Sequence, residues 1–168
     1  IIHDPRLIWN TREEVQSYSG KAIQSKAGHS FIKEKMREHV AIYGAEMSGH
    51  HYFKDFYFSD SGMIPWLLVA EIMSQTNQKL SELAAKRMQQ YPISGEINVK
   101  VHQPEKLLEE IKNYYHNQSE SVDEMDGYSF DFISWRFNIR MSNTEPLVRL
   151  NVETKGDKKL LNTKTDEI

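Results

Sequence analysis

The sequence pattern of this chain changes at Gln89-Gln90-Tyr91-Pro92, its best candidate linker. Beyond that break, residues 96–101 alternate strictly. Ile97, Val99 and Val101 fall on one face, Glu96, Asn98 and Lys100 on the other. A period of two demands a half-buried strand, whereas a period of 3.6 demands an amphipathic helix. Pro104 then opens a helix with Leu107, Leu108, Ile111 and Tyr115 at helical spacing. Residues 117–124 read as a polar loop, and Asp126-Gly127 as a turn between strands. Strands are expected over 130–132, 135–139 and 147–149, and a helix after Gly156.

Before the break, short apolar strands mix with helices. Ile1 and Ile2 open a strand that turns at Asp4-Pro5, and a helix capped by Thr11 is expected to end at Gly20. A short strand at Ile23 follows. Residues 29–38 are helical, with Phe31, Ile32 and Met36 opposite Lys33 and Lys35. Residues 40–43 read as an apolar strand, 44–49 as a polar loop, and 52–58 as a half-buried strand of alternating aromatics. Asp60-Ser61-Gly62 reads as the cap of an apolar helix to Thr76, and a further helix spans 80–88. The fold class expected is therefore α/β plus α+β. Residues 1–90 form a mixed α/β layered domain, incomplete at its N-terminus. Residues 91–168 form a small α+β domain with a mainly antiparallel sheet.

Charge and missing motifs narrow the functions. A formal net charge of −3 gives no general attraction to nucleic acid or anionic lipid, so any anion site must be local. No apolar run approaches the roughly 20 residues of a membrane helix. The absence of cysteine removes disulfides and thiolate metal sites and is compatible with a reducing cytoplasm. Neither G-x-x-x-x-G-K-[ST] nor G-x-G-x-x-G occurs, and no aspartate-rich cluster offers magnesium a cradle. The abrupt start at Ile1-Ile2 reads like a strand interior, so the chain is expected to be part of a longer protein.

Two loops carry the polar groups best suited to chemistry. In Gly44-Ala45-Glu46-Met47-Ser48-Gly49-His50-His51, the glycines permit a sharp turn and close approach to a ligand. Glu46 and Ser48 offer what two neighbouring sugar hydroxyls require, and His50 can exchange a proton near neutral pH. The same residues also fit an ordinary polar hairpin. His50 and His51 are adjacent on a strand, face opposite sides, and are not expected to share a metal ion. In Arg140-Met141-Ser142-Asn143-Thr144-Glu145-Pro146, the planar fork of Arg140 suits two phosphate oxygens, with Ser142, Asn143 and Thr144 adding donors. A hydrophilic turn with a surface ion pair fits equally. Arg6, His29 and Glu46 each follow an expected strand end, where ligands bind in α/β layers.

Taken with Asp4-Pro5-Arg6-Leu7, Gly28-His29-Ser30-Phe31-Ile32-Lys33, Asp60-Ser61-Gly62-Met63 and Gly95-Glu96-Ile97-Asn98, the two loops resemble the α-D-phosphohexomutase family, in its phosphomannomutase/phosphoglucomutase branch. The Glu-Met-Ser core favours that branch, and Ala45 departs from the usual Gly-Gly-Glu. The resemblance implies most of the third and all of the fourth of the family's domains. It implies that Glu46 and Ser48 bind sugar hydroxyls, and that Arg140, Ser142, Asn143 and Thr144 grip the phosphate that is not reacting. His29 and His50 become acid/base candidates near the reacting hydroxyl, and Arg6 takes the place of a basic residue, often lysine, that supports charge at the transferred phosphoryl group. The implied substrate is a phosphorylated hexose, of mannose or glucose. It is interconverted between 1- and 6-phosphates through a phosphoserine and a hexose 1,6-bisphosphate. The implied serine and Mg²⁺ loops belong to N-terminal domains of the same polypeptide and are not in this sequence. The chain alone is therefore expected to be inactive, with no metal ligands of its own. The competing reading is a stand-alone phosphosugar- or anion-binding module.

Overall fold

The computed structural model describes residues 1–142 and 145–168. The chain divides into two compact units, Ile1–Asp4 with Ile8–Gln89, and Pro5–Leu7 with Gln90–Ile168.

The first unit is built on a five-stranded sheet. Its strands are β1 (Ile2–His3), β2 (Ile23–Gln24), β3 (Tyr43–Ala45), β4 (His51–Phe53) and β5 (Ser59–Asp60), in the order β2-β1-β3-β4-β5. β1 pairs in parallel with β2 and β3, while β4 and β5 add antiparallel. Helix α1 (Trp9–Ser17) links β1 to β2, and α2 (His29–Glu38) links β2 to β3. The i, i+4 pair Ile32 and Met36 of α2 is fully buried with Ile2, Ala41 and Tyr52. Gly44 is required beneath that pair, because a Cβ there would come within 2.7 Å of Met36 Sδ and 2.8 Å of Ile32 Cγ2. Helices α3 (Met63–Thr76) and α4 (Leu80–Gln90) complete the unit. The apolar residues Trp66, Leu67, Leu68 and Ile72 of α3 stay exposed.

Several expectations for this unit need correction. Helix α1 starts at Trp9, so Thr11 lies inside it, and it ends before Ser19, which takes the left-handed turn at φ 55°. The apolar run 40–43 is mostly not strand. Val40 sits at φ 51°, and both Val40 and Ile42 point to solvent. The aromatic run 52–58 breaks after Phe53 into a 3₁₀ turn, Lys54–Phe56, and left-handed Tyr57 and Phe58. Of that run only Tyr52 is fully buried. Asp60 ends a strand rather than capping α3; Ser61 Oγ instead accepts from Ile64 N–H at 3.3 Å.

The second unit is an antiparallel sheet of five strands. These are β6 (Ile97–Lys100), β7 (Ser121–Asp123), β8 (Tyr128–Asp131), β9 (Trp135–Met141) and β10 (Leu147–Thr154), in the order β6-β10-β9-β8-β7. Strand β7 lies in the stretch expected to be loop, and β10 runs well beyond Arg149. Helices α5 (Pro104–Tyr115) and α6 (Lys158–Glu167) pack on one face, over Phe130, Trp135, Phe137, Ile139, Val148, Leu150 and Val152. The Asp157 side chain caps α6, accepting from Leu160 N–H at 2.8 Å. The β7–β8 turn needs Gly127 (φ 69°), where a Cβ would lie 2.3 Å from the Ile139 carbonyl oxygen.

The period of two puts Arg136, Asn138 and Arg140 of β9, and Arg149, Asn151 and Glu153 of β10, on the opposite face. This face is polar yet buried. Arg136 is only 1% exposed, and its guanidinium bonds Asp131 at 2.7 Å and Glu153 at 3.0 Å. It also donates to the carbonyls of Arg6 (2.9 Å) and Pro5 (3.2 Å), which ties the Pro5–Leu7 segment to this sheet.

Candidate functional site

In the first unit, the turn after β3 presents Glu46. The turn is closed by Glu46 N–H to the His50 carbonyl and by Gly49 N–H to the Glu46 carbonyl, both at 2.9 Å. Gly49 (φ 88°) takes the left-handed position. Buried Asp4 accepts from Met47 N–H at 2.7 Å and pins the turn from β1. Glu46 itself is 8% exposed. Its Oε1 accepts from Tyr52 O–H at 2.5 Å, and its Oε2 from Gly28 N–H at 2.8 Å. Each carboxylate oxygen has about two acceptor directions, so each keeps one for a further donor. Ser48, two residues on, is exposed.

His29, at the start of α2, and His50, at the start of β4's approach, meet edge to face with ring centroids 4.4 Å apart. His50 Nδ1 lies 2.7 Å from Asp60 Oδ2, and His51 N–H donates to Asp60 Oδ1 at 3.0 Å. Burial pushes the Asp60 carboxyl upward. The hydrogen bonds from His50 and His51 N–H, with the two imidazoles close by, outweigh that and hold it below the usual carboxylate range. A carboxylate can only accept, so His50 donates from Nδ1 and keeps Nε2 for proton exchange. His51 turns the other way, its Nδ1 2.6 Å from Tyr43 O–H, and burial lowers its pKa.

In the second unit, three guanidinium groups converge on Glu96. Arg149 Nη1 donates to Oε1 at 3.1 Å, while Arg6 Nη1 and Arg140 Nη2 approach Oε2 at 3.4 and 3.5 Å. Strand register builds this cluster, since Arg149 pairs directly with Arg140 on one side and with Asn98 on the other. Exposure of these side chains runs from 4% for Arg6 to 28% for Arg149. The Nε atoms of Arg140 and Arg149 are buried without a hydrogen bond among the described residues. Among the described residues Arg140 and Arg149 ion-pair with this one carboxylate, so the cluster is suited to a further anion. Ser142 follows β9, its N–H donating to the Leu147 carbonyl at 2.9 Å. Asn143 and Thr144 lie outside the described residues.

The expected site residues thus fall into two groups: Glu46, Ser48, His29 and His50 in one unit, Arg140 and Ser142 in the other. Arg6 clusters with the second unit and shares Glu96 with Arg140. Asp60, Tyr52, Arg149 and the ion-pairing role of Glu96 were missed. Only Asp60 carried a signal, an acid ten residues after His50 across a strand pair, and it was indistinguishable from a helix cap.

Comparisons with known proteins bear directly on these groups. Residues 1–91 match "Phosphoglucomutase/phosphomannomutase, alpha/beta/alpha domain III", and residues 96–168 match "Phosphoglucomutase/phosphomannomutase, C-terminal domain". The chain is 55% identical over 168 residues to "Phosphohexose mutases" of Xanthomonas campestris pv. campestris. It is 53% identical over 165 residues to "Phosphomannomutase" of Escherichia coli K12, and 52% over 168 to that of Salmonella montevideo. It covers 98–100% of itself in these matches but only 36–38% of the relatives' length. A crystal structure of a phosphoglucomutase/phosphomannomutase family protein from Burkholderia thailandensis superposes with a TM-score of 0.77 at 25% identity. That match covers 98% of this chain and 35% of the other. Matched end to end in both units, the chain belongs to the phosphoglucomutase/phosphomannomutase family, of which it carries domain III and the C-terminal domain.

Proposed function

We propose that the chain is the substrate-recognition half of a phosphomannomutase/phosphoglucomutase. That enzyme interconverts hexose 1-phosphate and hexose 6-phosphate through a phosphoserine and a hexose 1,6-bisphosphate. The observation that carries the reading is a buried carboxylate, Glu46, held at both oxygens beside an imidazole oriented by Asp60. The relatives named phosphomannomutases support it along the whole chain. Glu46 and Ser48 accept and donate to adjacent hydroxyls of the hexose. His50, through Nε2, takes up or returns the proton of the reacting hydroxyl, with His29 beside it. Arg140, with Ser142, Asn143 and Thr144, grips the phosphate at the far end of the sugar, and Arg149 adds charge there. Arg6 supports the charge at the transferred phosphoryl group. Phosphoryl transfer is mainly positioning and charge stabilisation, which suits two rigid polar sites without a nucleophile of their own.

Magnesium prefers an all-oxygen shell. Among the described residues the group with metal-ligand spacing is His29, His50 and Asp60, two nitrogens and one oxygen. That set does not fit the ion, so no step here runs through it. Magnesium, like the serine, is supplied by the domains that precede this half, in a cytoplasmic enzyme. The half alone is inactive. Residues 1–90 act as the sugar-reading domain and 91–168 as the phosphate-gripping one.

The test is Arg140→Ala in the full-length protein, assayed with mannose 1-phosphate and glucose 1-phosphate. Losing charge-assisted bonds of about 1.5–3 kcal/mol should lower kcat/KM roughly 10- to 150-fold, and by the same factor for both sugars. An unchanged kcat/KM would overturn the anchor.

A further inference from the structure

We propose that His29, His50 and Asp60 form a binding site for a transition-metal dication, Zn²⁺ foremost, and that its occupancy removes His50 from proton exchange. Three observations combine here. One ligand atom from each residue lies within 4.8 Å of the others. His50 and Asp60 are already in contact at 2.7 Å. His29 makes no hydrogen bond among the described residues, is exposed, and sits ring to ring with His50, so it is free to turn toward a shared ion.

Ligand chemistry selects the ion. Two imidazole nitrogens and one carboxylate oxygen suit zinc, cobalt or nickel, and suit magnesium and calcium poorly. Bonds of roughly 2.0–2.1 Å in a tetrahedral shell put ligand atoms about 3.3 Å apart. The His50–Asp60 contact must therefore open by about 0.6 Å, and His29 must swing inward. As the metal takes His50 Nδ1, the proton shared there with Asp60 is given up to solvent and Nε2 takes one up, so His50 stays a neutral imidazole whose Nε2 can no longer accept a proton. Asp60 stays aimed throughout, because its other oxygen holds the His51 N–H at 3.0 Å. This backbone contact does for the carboxylate what outer-shell partners do in established metal sites. Three protein ligands leave a fourth position open, the pattern of exchangeable rather than structural zinc.

One feature opposes binding. His29 stands at the start of α2, where the helix end carries partial positive charge. The Asp60 carboxylate offsets it, and three ligands rather than four hold the ion more weakly than a structural zinc site does. The ion and the family's magnesium therefore occupy different places. Raising magnesium should not displace zinc from this one.

The site itself does not depend on the mutase reading; the inhibition does. The first experiment is calorimetric titration of Zn²⁺ into the untagged 168-residue chain, repeated with Co²⁺ to read visible ligand-field bands. One equivalent should bind, and His29→Ala or Asp60→Asn should each weaken it about tenfold or more. His39→Ala, a surface change elsewhere, should leave it intact. Circular dichroism confirms that the variants are folded; His29 is exposed, so its variant tests the site even if Asp60→Asn is destabilised. No binding at millimolar Zn²⁺, or equal affinity in His29→Ala, overturns the site. The second experiment assays the full-length protein in saturating Mg²⁺. Loss of turnover with micromolar Zn²⁺, restored by a chelator, is expected. Bound zinc with undiminished turnover overturns the inhibitory role. A full-length protein without phosphohexose turnover would instead refute the proposed function, while the calorimetric result stands.

Discussion

Replacing Tyr52 by Phe removes one oxygen atom from a side chain that is fully buried, and the consequence follows from the contacts of that atom. Tyr52 O–H donates at 2.5 Å to Glu46 Oε1, while the partner oxygen accepts from Gly28 N–H at 2.8 Å. The Phe ring fills the same space, so no cavity term arises. What is lost is a hydrogen bond to an ionised group, about 1.5–3 kcal/mol, in a site where little water can replace it. We expect the first unit to lose about 2 kcal/mol, which for a domain of this size lowers its melting midpoint by roughly 8–16 °C. Urea unfolding followed by circular dichroism measures the loss. Amide exchange at Gly28 locates it, since freeing Glu46 should speed that exchange up to about 30-fold. A change below about 0.5 kcal/mol would mean that the hydroxyl does not hold the carboxylate. Lost stability with unaltered Gly28 exchange would place the effect in core packing and refute the reasoning.

Two further outcomes test other parts of the fold. Arg136→Met takes the guanidinium away from Glu153, itself 1% exposed, and should cost about 3–5 kcal/mol in urea unfolding; adding Glu153→Leu should recover much of it. If the double variant is no more stable than the single, the two groups do not compensate each other. Alkaline pH probes the buried phenols. Burial, then the hydrogen bond to Glu46, pushes the pKa of Tyr52 far above 10, and burial with Glu167 does the same for Tyr115. The folded chain therefore keeps protons that the unfolded chain releases near pH 10. Stability from these groups is complete below that pH and is lost above it, by up to about 1.4 kcal/mol per pH unit for each phenol. The stability gap between the wild type and Tyr52→Phe should accordingly narrow as pH rises above 10; a constant gap would contradict the assignment.

Patterns within one element were legible, and relations between elements were not. Residues 29–38 form α2 as expected, because Ile32 and Met36 are spaced for one face and nothing competes with that face. Gly127 marked its turn because no other residue fits there. The apolar run 40–43 misled, since Val40 and Ile42 look like strand residues yet stand in solvent at a left-handed turn. Hydrophobicity reports a preference for burial, not its fulfilment. Glu46 and Arg140 could be singled out by loop chemistry. Their partners could not. Tyr52 reads as core, Asp60 reads as a cap, and Glu96 reads as the wet side of a strand. Each acquires its role only when a neighbouring strand brings its register.

The links from Arg136 to the carbonyls of Pro5 and Arg6 span 131 and 130 positions. Residues made well before β9 thus wait for it to find their place. While the sheet of the second unit is still being synthesised, Pro5–Leu7 has no surface to settle on. Closing so long a loop also costs entropy that α2 or the β7–β8 turn never meets. When that strap does seat, it brings Arg6 to Glu96 with it. The arginine cluster therefore gains its third guanidinium only once β9 has formed, whereas Arg140 and Arg149 meet Glu96 through the sheet alone.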